Sequence, residues 1–414
     1  MGIKRPHTVP KPPEPSITKP NFFDQICSHF SNMSKSRTSV FFFLFLFSLS
    51  SVQSIPPSSD IIALQAFKAA IKPSSIPSYS CLGTWNFTTD PCSVPRVTHF
   101  TCGLSCSSGN RVTELTLDPA GYTGTLSPLI SKLTQLVTLD LQNNNFYGPI
   151  PSSLSSLPNL KNLVLRLNSF SGSVPPSLTS LKSLLSLDIS HNLISGLPNS
   201  MNELTSLRRL DLSYNKLTGS LPKLPPNLLE LAAKANSLSG SLLKSSFYGL
   251  NQLEVVELSE NSLFGTIETW FFQLPSLQQI DMANNSFTLV KIPKVVDLNS
   301  DLVAVDLGFN KIEGYLPVNF AIFPRLSSLS LRYNKFRGPI PLQYSKKATL
   351  KRLYLDGNFL NGSPPAGFFG RETSVTGSLG DNCLQKCPIS SQLCLKSQKS
   401  TSICQQAYGG KPKS

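Results

Sequence analysis

The stretch Leu139–Pro151 reads LDLQNNNFYGPIP, and Leu329–Pro341 repeats its pattern as LSLRYNKFRGPIP. From Leu115 onward the same motif, LxLxxNxLxGxIP, recurs about every 24 residues and gives about eleven units. Its asparagine is replaced by Ala120 in the first unit and then stands at Asn144, Asn168, Asn192, Asn215, Asn236, Asn261, Asn285, Asn310, Asn334 and Asn358. A repeat of this length indicates a stack of similar coils, because a solenoid grows by adding units instead of enlarging one core.

Each motif position has a structural reason. Two leucines separated by one residue favour a short strand that buries both side chains on one side. The asparagine amide can satisfy backbone groups at the turn, which would otherwise each cost about 1–3 kcal/mol when buried. The following proline favours an extended segment on the flank. We therefore predict an α/β solenoid, a curved superhelix with a parallel sheet on its concave face and disulfide-bonded caps.

The composition argues against nucleic acid as a partner. The formal net charge is +14, yet charged residues make up only 14% of the chain and the basic ones are scattered. Nucleic-acid binding proteins concentrate such residues in a patch or stripe. A basic protein outside the cell could instead be retained by acidic pectin through salt-sensitive attraction.

The N-terminal region has the pattern of a secretory signal peptide. Val40–Leu49 reads VFFFLFLFSL, follows Lys35 and Arg37, and precedes the small-residue ending at Ser54. Met33 would give the expected short basic start, so we predict that it is the initiator. The apolar run is shorter than the roughly 20 residues that span a bilayer. We expect a secreted protein of the extracellular space or cell wall without a transmembrane span; an uncleaved membrane anchor is the alternative.

Eight cysteines remain after the leader, in two terminal groups. An even count in an oxidising compartment predicts disulfides, and the cysteines lack the paired C-x-x-C spacing of a zinc site. Each group of four allows three connectivities. The predicted disulfide cysteines are Cys81, Cys92, Cys102 and Cys106, and Cys383, Cys387, Cys394 and Cys404.

These patterns divide the chain into four segments. We predict a leader over residues 1–54, an N-terminal cap over 55–111, the repeats over 112–370, and a cysteine-rich C-terminal cap with a polar tail over 371–414. The caps would cover leucines that the first and last coils expose.

The N-terminal cap carries a family resemblance. Asp60–Lys68 reads DIIALQAFK, and Trp85, Asp90–Cys92 and Val97–Cys102 follow. With the repeats, these segments resemble plant leucine-rich repeat proteins over nearly all of residues 58–365. The chain looks like the ectodomain of receptor-like proteins and receptor kinases, and it is similar to polygalacturonase-inhibiting proteins.

Two features depart from that family pattern. Cys81 and Cys106 are additional to a cap with one cysteine pair, and the tail has four cysteines where two are usual. The resemblance implies a kinase-less receptor-like or co-receptor protein that binds an extracellular peptide or protein in signalling or defence, with a receptor kinase ectodomain as a partner. The alternatives are an inhibitor of a wall hydrolase such as polygalacturonase, and a pectin-associated wall protein.

The concave face is the predicted binding surface, because the strand residues between the leucines point away from the core. The column between the paired leucines is acidic in the middle, which suits either a solvated face or a cationic peptide site. It reads Thr116, Asp140, Val164, Asp188, Asp211, Ala232, Glu257, Asp281, Asp306, Ser330 and Tyr354. Of these, we include Asp281, Asp306 and Tyr354 among the candidate ligand-binding residues.

Aromatic and basic residues follow the second leucine in several units, a composition typical of binding hot spots. These further candidates are Arg166, His191, Tyr214, Lys234, Phe309, Arg332 and Tyr333. Because Phe309, Arg332, Tyr333 and Tyr354 belong to neighbouring units, we predict that they form one patch.

Three glycosylation sequons follow the leader, at Asn86, Asn284 and Asn361. In contrast, no motif of a hydrolase, kinase or metalloprotease is present, and the mature chain has two histidines, His99 and His191. We therefore predict a protein that is not an enzyme and that uses no cofactor and no metal.

Overall fold

The computed structural model describes residues 58–87, 103–295, 299–370 and 375–409. The predicted leader with Met33 lies outside these residues, as do Cys92, His99 and Cys102. All statements below on the fold and the site concern the described part of the chain.

The concave sheet has thirteen strands among the described residues, and one strand comes from each coil. The first two, Gly103–Cys106 and Val112–Thr116, pair antiparallel, whereas all later neighbours pair parallel. The later strands are Thr138–Asp140, Asn162–Val164, Ser186–Asp188, Arg209–Asp211, Glu230–Ala232, Val255–Glu257, Gln279–Asp281, Ala304–Asp306, Ser328–Ser330, Arg352–Tyr354 and Thr376–Ser378. The predicted solenoid with its parallel sheet is confirmed, and the antiparallel pair joins a strand of the N-terminal cap to the strand of the first coil.

The two leucines of each motif form the core, as Leu329 and Leu331 are both buried. The asparagine ties neighbouring coils together. Asn334 Nδ2 donates to the carbonyl oxygens of Leu307 (2.9 Å) and Leu331 (3.2 Å), and its Oδ1 accepts from the Ile312 amide at 3.0 Å. These bonds satisfy backbone groups inside the turn, which is the predicted role of the asparagine.

Asn382 extends this asparagine ladder beyond the predicted repeats. Its Nδ2 donates to the Leu355 carbonyl oxygen and its Oδ1 accepts from the Leu360 amide, each at 3.0 Å. The concave strand Thr376–Ser378 belongs to the same coil. The C-terminal cap is therefore built on a further repeat, and its four cysteines follow the asparagine of that repeat.

Three smaller parallel sheets cover one flank of the solenoid. Their strands are Thr123–Gly124, Asn145–Gly148, Ser169–Ser173 and Leu193–Gly196, then Thr218–Gly219, Ser237–Gly240, Ser262–Ile267 and Ser286–Val290, and finally Glu313–Tyr315, Lys335–Gly338 and Phe359–Leu360. They contain the residues that follow the motif asparagine, whereas the sequence predicts extended chain a few residues later, at the motif proline.

The side opposite the concave sheet consists mainly of short 3-10 turns. A coil of about 24 residues leaves room for little more than one helical turn after two strands, so the helical layer is thinner than the label α/β suggests. The turns are Pro73–Ser75, Pro128–Lys132, Ser152–Ser156, Pro176–Ser180, Phe271–Gln273, Val318–Ile322, Ala366–Phe368 and Gln392–Cys394, and the α-helices are Ser58–Ala69, Cys81–Thr84, Leu342–Ser345 and Thr401–Tyr408.

The N-terminal cap is anchored by a buried ion pair. Asp60, on the first helix, lies 2.8 Å from the Arg111 guanidinium and accepts from the Val112 amide at 3.1 Å. Cys81 and Cys106 are both disulfide-bonded. The pairing within this group of four stays open, because Cys92 and Cys102 lie outside the described residues.

The C-terminal cap contains two nested disulfides, Cys383–Cys404 and Cys387–Cys394. The cap's helix Thr401–Tyr408 reaches back to the flank, where the Tyr408 hydroxyl accepts from the Gly338 amide at 2.9 Å. The cap thus covers the last coil both at its disulfides and along its flank.

Candidate recognition surface

One row of residues lies along the rim of the concave sheet, immediately before each motif asparagine. The non-glycine members share a left-handed backbone with φ between 49° and 57°: Asn143, Leu167, His191, Tyr214, Ala235, Glu260, Asn284, Phe309, Tyr333 and Asp381. Left-handed backbone is uncommon outside glycine, so the coil geometry fixes where these side chains emerge. We call this set the rim row.

Four predicted residues meet at the C-terminal end of this surface. The rings of Phe309 and Tyr333 stack with centroids 4.6 Å apart and planes 11° from parallel. The Arg332 guanidinium lies 5.0 Å from the Phe309 centroid and 5.7 Å from that of Tyr354. A cation between aromatic rings is favourable and holds all three side chains in place. We call these four residues the aromatic patch.

The C-terminal cap supports the aromatic patch through Lys396. Its ammonium lies 3.0 Å from Asp356 Oδ2 and donates to the Tyr333 hydroxyl at 3.2 Å. These hydrogen bonds, to Asp356 first and Tyr333 second, raise the pKa of Lys396. Tyr333 also lies directly over Gly357, where a β-carbon would approach its ring to 2.5 Å. Gly357 therefore makes room for the stacked ring.

A hollow of about 430 Å³ opens beside the aromatic patch on the concave sheet. Asp281 and Asp306 line one part of it, and Arg332, Arg352 and Tyr354 line the other. Burial raises the pKa of Asp306. The hollow therefore presents acidic groups beside basic and aromatic ones, a set that can hold a ligand of mixed polarity. We call it the concave hollow.

A second hollow of about 380 Å³ lies nearer the N-terminus and is more acidic. Asp188, Asp211, Glu230 and Glu257 line it, together with Arg209, which pairs with Glu230 at 3.3 Å. Burial, followed by the charge of Asp281, raises the pKa of Glu257. The column is thus mainly acidic along the middle coils, with Ala232 as the one interruption between Asp211 and Glu257.

Comparison with known proteins agrees with this architecture. A leucine-rich repeat family profile matches residues 158–217 and 226–287, and a second one matches 135–157 and 349–370. A leucine-rich repeat N-terminal domain profile matches residues 57–98. The chain is a plant-type leucine-rich repeat protein.

Its curated relatives include receptor-like proteins of Arabidopsis thaliana. Receptor-like protein 14 is 37% identical over 105 residues, which are 25% of this chain and 10% of that relative. Receptor like protein 27 is 35% identical over 68 residues, 16% of this chain and 8% of that relative. The chain thus spans about a tenth of the length of these relatives.

Among solved structures, the crystal structure of PEPR1–AtPEP1 superposes with a TM-score of 0.68 at 29% identity, covering 80% of this chain and 45% of that one. The plant peptide hormone receptor RGFR1 in complex with RGF2 has a TM-score of 0.59 at 31% identity, covering 63% of this chain and 42% of that one. These similarities confirm the leucine-rich repeat ectodomain fold and support ligand binding by such a domain.

The remaining predicted residues of this leucine-rich repeat protein lie in earlier coils, away from the aromatic patch. His191 and Tyr214 stack on the rim row with centroids 4.2 Å apart. Arg166 donates to Gln142 Oε1 at 2.7 Å and lies 3.9 Å from Asp188. Lys234 pairs with Glu260 at 3.1 Å. The structure therefore does not bring these residues into one site with Phe309 and Arg332.

Two residues that support the aromatic patch were missed by sequence reasoning. Lys396 stands in a cysteine-rich segment without a periodic pattern, so its position beside Tyr333 had no sequence signal. Asp356 did have a sequence signal, because it occupies the same motif position as Arg332 one unit later. An acid there, one unit after the basic Arg332, would have indicated a charged partner.

The sequons lie in three different places. Asn284 is exposed on the rim row, Asn361 lies on the flank, and Asn86 lies beside Trp85 in the N-terminal cap. Within the described ranges, His, Cys, Asp and Glu side chains form no group of three suited to a metal ion. None of the described helices is long and apolar enough to cross a bilayer.

Proposed function

We propose that this leucine-rich repeat protein is an extracellular, non-enzymatic recognition protein that binds a peptide or an extended protein segment through its concave face. The observation that carries the proposal is the aromatic patch beside the concave hollow. Two stacked rings, with an arginine held between one of them and a third ring, are rigid contact groups of the kind that dominate binding energy. The similar structures of PEPR1–AtPEP1 and of RGFR1 with RGF2 support a peptide as the ligand.

The polar groups of the site suit a ligand with more than one kind of side chain. Asp281 and Asp306 can accept from a basic or hydrogen-bond-donating group. Arg332 Nε and Asp356 Oδ1 are buried and form no hydrogen bond within the described residues. Such unsatisfied groups are rare in folded proteins, and here both atoms belong to residues in or beside the aromatic patch.

We further propose that the protein acts as a kinase-less receptor-like or co-receptor component in plant signalling or defence. The secretory pattern of the leader supports this role, and so do the curated relatives, which are receptor-like proteins. The partner would be an extracellular peptide together with a receptor kinase ectodomain. Its location would be the extracellular space or the cell wall.

Selection of a random library of short displayed peptides on the secreted protein tests peptide binding. We expect enriched peptides whose affinity falls at least about tenfold in Arg332→Ala, since hot-spot truncations cost about 2 kcal/mol or more. Arg166→Ala, a matched change in an earlier coil, should bind normally, and both variants should keep the wild-type melting temperature. Enriched peptides that bind Arg332→Ala equally well, or no enrichment at all, would refute the proposal.

The acidic column favours a second candidate, an inhibitor that docks against a basic enzyme cleft. Asp188, Asp211 and Glu257 line the second hollow, and complementary charge accelerates association. Polygalacturonase activity measured with and without the protein decides between the two functions. If inhibition occurs and is lost in Asp211→Asn but retained in Arg332→Ala, the inhibitor function is supported.

A further inference from the structure

We infer that Asn284 carries an N-linked glycan whose first sugar packs on Phe309 and forms a wall of the concave hollow. The modification itself is independent of the proposed function, whereas the effect of the wall on a ligand rests on that function. Three observations carry the inference: the sequon, the exposure of Asn284 on the rim row, and the open face of the Phe309 ring.

Asn284 and Phe309 occupy the same motif position in adjacent coils. The Asn284 amide donates to the Gly308 carbonyl oxygen at 2.9 Å, and the Asn285 amide donates to that of Phe309 at 3.2 Å. Paired parallel chains lie about 4.8 Å apart, so the two side chains emerge side by side. The Asn284 side chain is exposed and forms no hydrogen bond to the described residues, so its Nδ2 is open to substitution.

Tyr333 and the Arg332 guanidinium contact the Phe309 ring from the following coil, so the ring face that remains for a sugar is the one toward the preceding coil of Asn284. Its other face stacks on Tyr333, which lies one coil further on. Phe309 is nevertheless 42% exposed. The negative face of an aromatic ring attracts the polarised C–H groups of a pyranose. A sugar on Asn284 would therefore cover apolar surface that the protein itself leaves in water.

The other two sequons lack this relation to the concave hollow. Asn361 follows a flank strand, and Asn86 is part of the N-terminal cap. Asparagine tolerates a left-handed backbone, so the backbone alone can explain an asparagine at this position. Asn143 occupies the same motif position and is not part of a sequon. Ser286 is the residue that turns the Asn284 position into an acceptor site.

The reaction is an oligosaccharide transfer from a lipid diphosphate donor in the secretory pathway. A bond forms between Asn284 Nδ2 and the anomeric carbon of the first sugar. The bond from that carbon to the diphosphate oxygen breaks, so the lipid diphosphate leaves with the electron pair, and the amide nitrogen loses one proton. Oxidation states do not change, and no further reactant is required.

The glycan would change how a ligand meets the aromatic patch. Asp281 lies three residues before Asn284 on the same coil, so the sugar stands over the edge of the concave hollow. With the free face of Phe309 covered, a ligand would contact mainly Arg332 and Tyr354. Access from the rim beside Asn284 would be closed, and the opposite rim would become the entrance.

Occupancy is tested on protein secreted from plant cells. The protein is treated with a peptide-N-glycosidase in heavy-oxygen water and then mapped by mass spectrometry, because release converts a glycosylated asparagine into heavy-oxygen aspartate. We expect the label at Asn284 in the wild type and in Ser286→Thr, and its loss in Ser286→Ala. An unlabelled Asn284 in the wild type would overturn the inference, whatever the peptide selection gives.

The wall is tested separately with a fluorescent probe. Phe309→Trp is combined with Ser286→Thr or with Ser286→Ala, and quenching by acrylamide is compared. We expect the quenching of Trp at this position to fall by more than half when the glycan is present, since Tyr333 already covers the other face. Leu167→Trp, on the same rim row six coils earlier, should be quenched equally in both backgrounds. Equal quenching at position 309 with an occupied Asn284 would overturn the wall and leave the proposed function untouched.

Discussion

The side-chain amide of Asn334 holds two coils together with four hydrogen bonds, to the carbonyl oxygens of Leu307, Leu331 and Arg332 and from the Ile312 amide. Asn334→Ala would leave the buried Ile312 amide without a partner, and each of the three carbonyl oxygens would lose one of its two donors. We expect a loss of at least about 2 kcal/mol in unfolding free energy. Chemical denaturation followed by circular dichroism measures it.

An exposed asparagine supplies the control for this prediction. Asn159 donates to the Thr134 carbonyl oxygen at 3.1 Å on the solvated side of the solenoid, where water can replace it. Asn159→Ala should change the unfolding free energy by less than about 0.5 kcal/mol. Equal losses in the two variants would show that the ladder is not what stabilises the turns.

Gly357 allows the stacked ring of Tyr333 to lie flat. Its φ is +75°, and an added β-carbon would approach Tyr333 Cδ1 to 2.5 Å. Gly357→Ala should therefore cost about 1–2 kcal/mol for the left-handed backbone and also displace the ring. We expect weaker binding of a selected peptide, measured by calorimetry.

Gly219→Ala separates the ring displacement from the backbone strain. Gly219 has φ +78° with no atom within 4 Å of the added β-carbon. The variant should lose similar stability, visible as a lower melting temperature, and keep its peptide affinity. If both variants bind equally well, the position of Tyr333 does not matter for recognition.

The sequence predicts residue roles where the motif repeats and fails where a role depends on backbone conformation. The asparagine ladder follows directly from spacing. The left-handed rim row does not, because Phe309 and Tyr333 are residue types that rarely adopt positive φ. Asn382 was missed for another reason: its coil is rich in cysteines, which hid a spacing of 24 residues from Asn358.

At the scale of elements, the C-terminal cap closes the solenoid through its longer disulfide. Cys383–Cys404 encloses a separation of 21 residues, and Cys387–Cys394 encloses 7. Loop-closure entropy predicts a loss of about 3 kcal/mol when the longer bridge is replaced by serines and about 2 kcal/mol for the shorter one. Thermal unfolding of the two double-serine variants shows which bridge contributes more to stability.

Limited proteolysis shows where that loss occurs. Without Cys383–Cys404, the helix Thr401–Tyr408 loses its covalent link to the last coil and keeps only noncovalent contacts such as the Tyr408 hydrogen bonds, so cleavage should begin in the cap and leave the earlier coils intact. The shorter bridge should protect less. Cleavage that starts in the middle coils would contradict a capping role.

The elements themselves were largely predictable, but their contacts across the caps were not. Period and alternation indicate the concave sheet and the flank. Lys396 reaches Asp356 across 40 residues through the folded cap, and no periodic signal links the two. The predicted binding residues come from three motif positions and extend over many coils. Sequence spacing alone does not show which of them meet on neighbouring coils, as Phe309, Arg332 and Tyr333 do.

For the whole molecule, the distribution of charge matters more than its sum. The net charge is +14, yet the middle coils of the concave face present mainly carboxylates. A ligand that approaches this face therefore meets an acidic surface on a basic protein. Attraction of a basic segment to that face should weaken with added salt, since screening acts on exposed charges within about 10 Å at 0.1 M.

The same carboxylates make the stability of the protein depend on pH. Burial raises the pKa values of Asp140, Glu257 and Asp306 above their ordinary values of 3.8, 4.5 and 3.8. The folded state thus holds these protons more tightly than the unfolded state. Their contribution to stability is present below the ordinary pKa values and is lost as pH rises through the raised ones.

We therefore expect this contribution to the melting temperature to fall as the pH rises from about 4 to about 7 in the unliganded protein. Asp306→Asn removes one of the three groups, so its melting temperature should depend less steeply on pH than that of the wild type. Glu203→Gln, on an exposed turn outside the concave face, should leave the slope unchanged. Scanning fluorimetry across this range measures all three proteins. A steeper slope in Asp306→Asn than in the wild type would contradict this, because it would mean that folding stabilises the ionised carboxylate of Asp306. A bound basic peptide should itself stabilise the ionised carboxylate. The steeper slope of Asp306→Asn is therefore expected only when such a peptide is present.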